Sequence, residues 1–196
     1  MKRKVYYQLL DWKRNSNGKT AVLIEGARRI GKSYIALEFA KNNYKSYILI
    51  DFFKVKEEVK NLFYEYLDDL DKLFLYLSEY YNVELYERNT VFIFDEVQFC
   101  PQARAAIKYL VADGRYDFIE TGSLISIKKN VKDILIPSEE ECIKMYPMDF
   151  EEFLWAMGRD TLMDFACKYY EDRKPLGSAM HRKMMDYLKE YMIVGG

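Results

Sequence analysis

Histidine is almost missing from this 196-residue chain, with His181 standing alone, and cysteine is limited to Cys100, Cys142 and Cys167. The three thiols lie far apart and form no C-x-x-C pair. That rules against a zinc site or a disulfide framework and leaves reduced thiols as the expectation. Excess charge of either sign is missing too, since 30 basic residues face 31 acidic ones. No overall basic field points to nucleic acid or to an acidic membrane. Nowhere do about 20 apolar residues run together to span a bilayer. Lys2, Arg3 and Lys4 precede only a short apolar stretch, interrupted by Asp11 and Lys13, which is no signal peptide. A cytoplasmic location is expected. Internal repeats and low-complexity segments are also lacking.

What remains is ordinary material for a folded α/β domain with a core and a small appendage: half the residues are apolar and 31% are charged. Tyrosine is abundant, 18 residues. The pairs Tyr6-Tyr7, Tyr80-Tyr81 and Tyr169-Tyr170 follow the spacing of neighbouring leucines, so they read as amphipathic packing in preference to base-stacking platforms.

Three short apolar runs, residues 20–25, 46–53 and 91–94, carry the signature of strands buried on both faces, residues 116–120 read as a fourth strand, and residues 141–146 suggest a fifth. Helical spacing fills residues 5–14, 33–42 and 102–112. Two further helices are expected within 55–81, meeting near Asp68 and Asp69. Alternating strand and helix predicts a parallel sheet covered on both faces with right-handed crossovers. After Pro147 the strands stop, and three helices are expected over 149–158, 161–170 and 178–193. The division predicted is a core over 1–148, with an N-terminal helix and linker at 1–17, and a helical extension over 149–196. Because the sequence stops on an apolar stretch followed by Gly195-Gly196, a longer protein truncated here is expected.

Between the first strand and its helix stands Gly26-Ala27-Arg28-Arg29-Ile30-Gly31-Lys32-Ser33, a match to G-x-x-x-x-G-K-[ST]. Glycines let such a loop curl so that consecutive backbone N–H groups face inward, and the helix start adds its positive dipole end. Lys32 is suited to reach β- and γ-phosphates, and the Ser33 hydroxyl to ligate Mg2+. A chain of this size meets the pattern by accident about once in a hundred. Arg28 and Arg29 can face phosphates, solvent or a partner.

The third apolar run ends in Asp95-Glu96, which places both acids at the sheet edge where ligands of open parallel sheets sit. Asp95 is the candidate for the Mg2+ shell and Glu96 for polarising the water that attacks the γ-phosphate. A second acid favours hydrolysis over transfer to a small hydroxyl. With no N-K-x-D motif to read guanine, ATP is expected over GTP. Thr121-Gly122-Ser123 closes the fourth strand at the same edge, where a hydroxyl can sense the γ-phosphate or serve only as a turn or cap. Thr121 is the first candidate and Ser123 the second.

Together G-A-R-R-I-G-K-S, F-D-E-V-Q, I-E-T-G-S and M-Y-P-M-D-F-E-E-F-L resemble the AAA-type ATPase domain of a prokaryotic family of predicted ATPases, related to archaeal and signal-transducing ATPases of the P-loop superfamily. The resemblance spans essentially the whole chain, and its most specific part is Y-P-x-x-F-x-E-F-L at residues 146–154. It implies a P-loop NTPase three-layer sandwich with a central parallel sheet, plus a C-terminal helical extension. It also implies ATP/ADP and Mg2+ as ligands, and a following effector region with winged-helix and nuclease-like parts, which is absent here. Relatives carry a Gly-Arg between the fourth strand and the Y-P segment. This chain instead has Lys128-Lys129-Asn130 through Pro137-Ser138-Glu139-Glu140, with no arginine. Arg104, Arg115 and Arg159 are the candidate substitutes, and self-association is the other route by which an arginine could arrive.

The leading expectation is an ATPase whose nucleotide state acts as a conformational switch. Two alternatives stay open, a small-molecule kinase on the same scaffold and a nucleic-acid-associated module with mainly structural ATP.

Overall fold

The computed structural model describes residues 2–123 and 139–195. It divides into two compact units, Val5–Met145, and Met1–Lys4 together with Tyr146–Gly196.

The larger unit is an α/β sandwich around a five-stranded, wholly parallel sheet. Its strands are β1 (Ala21–Gly26), β2 (Ser46–Asp51), β3 (Thr90–Asp95), β4 (Asp117–Gly122) and β5 (Glu140–Met145), and the order across the sheet is β2-β3-β4-β1-β5. Helices α1 (Lys4–Ser16) and α2 (Lys32–Asn43) cover one face. The other is covered by α3 (Glu57–Glu65), α4 (Leu70–Tyr81) and α5 (Pro101–Asp113).

The apolar runs dictate this arrangement. Every residue of β3 and β4 is buried, because alternate side chains enter two different cores. Val91, Ile93 and Ile119 join Val22, Ile24, Ile35, Phe39 and Trp12 on the α1/α2 side. Phe92, Phe94 and Phe118 join Phe52, Phe63 and Phe74 on the opposite side, where the rings meet mostly edge to face. The tyrosine pairs split along the same logic. Tyr6 packs on Phe39 and Tyr169 on Phe165, whereas Tyr7, Tyr80 and Tyr170 are exposed, as adjacent helical positions must be.

The five strands lie where the apolar pattern placed them, with one shift that matters. β4 continues as strand through Gly122, so Thr121 is an interior strand residue with a buried side chain and not part of a terminating turn.

The smaller unit holds α6 (Phe150–Ala156), α7 (Leu162–Glu171) and α8 (Ser178–Val194). Its organising feature is the Tyr-Pro segment. Asp149 caps α6 reciprocally with Glu152, and Glu152 also pairs with buried Arg3 at 3.2 Å. The Arg3 guanidinium further donates to the Tyr146 carbonyl at 2.6 Å. Phe150 and Phe153 lie against the Tyr191 ring. Neither α7 nor α8 buries a residue fully, so this unit has a thin core. No described helix is long and apolar enough to cross a membrane.

Candidate functional site

Strand order creates the site. β4 lies between β1, which leads into the glycine loop, and β3, which ends in the acids. The carboxyl ends of three neighbouring strands therefore converge at one edge, where open α/β sheets bind ligands.

The two loop glycines serve different needs. Gly31 adopts φ 94°, a left-handed conformation that only glycine takes without strain, and α2 begins on the next residue. Gly26 is constrained by space. A Cβ there would stand 2.2 Å from the Met145 carbonyl oxygen of the adjoining β5 and 2.7 Å from Ile30 Cδ1. Arg29 is also left-handed, at φ 64°, a conformation that costs an L-residue about 1 kcal/mol. Ala27, Arg28 and Arg29 are exposed. The first N–H groups of α2 have no intrahelical partners and face the loop.

Lys32, the first residue of α2, folds back over that loop. Its Nζ donates to the carbonyls of Ala27 at 2.7 Å and Gly26 at 3.2 Å. Only 4% of the residue is exposed. Burial pushes its ammonium below the ordinary lysine value, while the carboxylates of Glu96 and Asp95 pull the other way and Arg28 adds to the lowering.

One residue further along, Ser33 Oγ donates to Asp95 Oδ1 at 2.6 Å. The same oxygen of Asp95 receives the Thr121 hydroxyl from β4. Thr121 Oγ1 in turn accepts the Glu96 backbone N–H at 3.2 Å. Ser33, Asp95, Thr121 and Glu96 thus form one hydrogen-bonded chain across three strand ends. Ser123 is buried, and its hydroxyl has no partner among the described residues.

Glu96 sits where β3 breaks, at φ 53° and ψ 48°. A 3-10 turn, Val97–Phe99, follows at once and brings the Gln98 amide back onto the Glu96 carboxylate. Left-handed glutamate is uncommon, and such backbone outliers gather at functional sites. Gln98 is buried beside it, a functional position that the loop and acid motifs do not include. Its signal was its place two residues beyond the acids in F-D-E-V-Q.

Among the described residues no group of three or more His, Cys, Asp or Glu side chains gathers to hold a metal. Ser33 and Asp95 offer two hard oxygen atoms at one point. That set suits Mg2+, which keeps several waters and takes phosphate oxygens for the rest of its shell.

The arginines considered as substitutes are otherwise engaged. Arg104 is only 2% exposed. It is held in the core by Glu120 at 3.0 Å and Glu140 at 2.9 Å. A guanidinium so deep and doubly paired cannot reach out to a phosphate. Arg115 is bound to Asp113 and Asp71, and Arg159 donates to the Tyr187 hydroxyl. The Lys128 to Ser138 part of the departure from the family pattern lies outside the described residues.

No curated protein matches the chain. Among solved structures it is similar to C. elegans PCH-2, at 14% identity and a TM-score of 0.46, covering 83% of this chain and 47% of that one. The chain thus spans about half the length of that protein. A family model described as "AAA domain" matches residues 18–154, an interval that contains the glycine loop, both acids, Thr121 and the start of α6. The chain belongs to this AAA domain family of nucleotide-binding ATPases.

Proposed function

We propose that the chain binds ATP with Mg2+ at residues 26–33 and hydrolyses it with Glu96, the bound state serving as a switch for an effector region that follows the helical extension. In this reading residues 1–148 are the ATPase core and 149–196 the extension. The observation that carries it is the 2.6 Å bond from Ser33 to Asp95, because it puts the loop hydroxyl and the strand-end carboxylate at one point, with Glu96 next in the chain.

Each side chain then has a physical task. The loop N–H groups and the α2 dipole hold phosphate oxygens, and the Lys32 ammonium exchanges the carbonyls of Gly26 and Ala27 for the β- and γ-phosphates. Ser33 and Asp95 would hold Mg2+. When bound, the ion neutralises charge that develops on the phosphates. Glu96 accepts the proton of the attacking water as the water oxygen bonds to the γ-phosphorus and ADP departs. Thr121 acts through its neighbours, since its one hydroxyl is already donated to Asp95 and already accepts the Glu96 N–H.

Calorimetry with Mg·ATP and measurement of ADP release test this reading together. Glu96→Gln is expected to bind Mg·ATP within threefold of the parent and to lose turnover by 10²-fold or more. Equal turnover in the two proteins would remove Glu96 from the chemistry.

A further inference from the structure

We propose that Gln98 is a positioning residue for Glu96, fixing the carboxylate in the orientation from which it receives a proton. The inference rests on the hydrolytic reading of Glu96 given above.

The geometry separates what holds the backbone of Glu96 from what holds its side chain. The N–H of Glu96 is bound to Thr121 Oγ1 at 3.2 Å, and its carbonyl accepts from the Phe99 N–H at 3.0 Å. Its left-handed backbone is therefore pinned at both ends. Among the described residues, the hydrogen bond to its carboxylate comes from Gln98 Nε2. Gln98 lies within the 3-10 turn and is itself buried, which leaves its amide little room to swing away.

The other end of the amide shows that Gln98 is not there for the core. Gln98 is 2% exposed, and its Oε1 has no hydrogen-bond partner among the described residues. A buried acceptor left unmet weakens a fold, and an apolar side chain of the same length would pack there without that cost. Features that lower stability while ordering a reactive group belong to function.

The test compares Gln98→Met, Glu96→Gln and the double variant in the same chain, reading Mg·ATP affinity, turnover and melting. Gln98→Met is expected to lower turnover tenfold or more, to leave the Kd for Mg·ATP within twofold, and to melt at or above the parent temperature. Because Gln98 acts through Glu96, the double variant is expected to turn over no more slowly than Glu96→Gln alone. Parental turnover in Gln98→Met, affinity falling in step with turnover, or melting far below the parent would each overturn the proposal. So would a further loss in the double variant. If Glu96→Gln is inactive while Gln98→Met works normally, only this inference fails. If Glu96→Gln itself keeps parental turnover, the hydrolytic reading fails and takes this one with it.

Discussion

Two consecutive residues of β4 organise two buried polar clusters on opposite faces of the sheet. Thr121 points toward α2 and donates its hydroxyl to the Asp95 carboxylate oxygen that also receives the Ser33 hydroxyl. Glu120 points toward α5, where Arg104 bridges it to Glu140 with all three side chains 2% exposed or less. Both clusters are deep, polar and anchored on the same strand. They differ in what a ligand could do to them. Hydroxyl protons can turn from a carboxylate to a phosphate or a metal-bound water at little cost. A guanidinium between two buried carboxylates cannot leave without abandoning charge in the core. Depth and charge alone therefore do not mark a site; exchangeable donors at a strand end do.

The sharpest way to break this comparison is to remove one cation from each side. Lys32→Ala is expected to abolish Mg·ATP binding, with the Kd raised at least 10²-fold, while the fold survives, since among the described residues Lys32 donates to loop carbonyls alone. Arg104→Ala should do the reverse. It leaves Glu120 and Glu140 facing each other unpaired, a loss of about 3–5 kcal/mol that corresponds to roughly 10 °C in Tm for a chain of this size. Thermal melting and titration calorimetry on both variants decide the matter. Unchanged melting with lost nucleotide binding in Arg104→Ala would move the ion cluster into the functional site.

Thr121→Val asks a finer question at the hinge of the two clusters. The change keeps shape and removes one hydroxyl, leaving the Glu96 N–H and Asp95 Oδ1 each one partner short. The expected cost is about 1–3 kcal/mol of stability and about tenfold in turnover, with a smaller effect on Mg·ATP affinity. A Thr121→Ser protein should recover most of the turnover. Failure of serine to rescue would mean that the methyl group, not the hydroxyl, is what β4 needs there.

Much of this molecule was legible before its shape was known, for a reason tied to particular residues. V-F-I-F is apolar on both faces, so it can only be an interior parallel strand, and the glycine-lysine-serine spacing marks the loop between β1 and α2. Strand order was not legible. Apolar runs state that a strand is central without stating its neighbour, and only the order β3-β4-β1 makes Thr121 the bridge between the acids and the loop. Gln98 stayed hidden because its contact depends on the left-handed turn at Glu96, which the residue type does not announce. The depth of Arg104 was also hidden in its own helix. A lone arginine on a helix is usually a surface residue, yet Glu120 inside the apolar run of β4 already required a buried cation somewhere. Gly26 gave its identity correctly and its reason only in part, since the approach of β5 is a tertiary fact.

The smallest expected effect concerns protons in the ion cluster. Burial drives the Glu120 carboxyl well above the usual carboxylate range, with Arg104 opposing and Glu140 reinforcing the rise. A carboxyl raised in the folded state binds more protons there than in the unfolded chain, so stability falls as pH climbs above the unfolded value of about 4.3. The fall continues until the folded group ionises. Glu120→Gln deletes that titration while keeping an acceptor for Arg104. Urea unfolding at stepped pH should therefore give a shallower decline for Glu120→Gln, by up to about 1.4 kcal/mol per pH unit within the window. The Asp95 side of β4, untouched by the substitution, should show unchanged Mg·ATP binding across the same pH range. Parallel pH profiles for the two proteins would mean that Arg104 holds Glu120 ionised in the core, and the two faces of the strand would then differ in geometry alone.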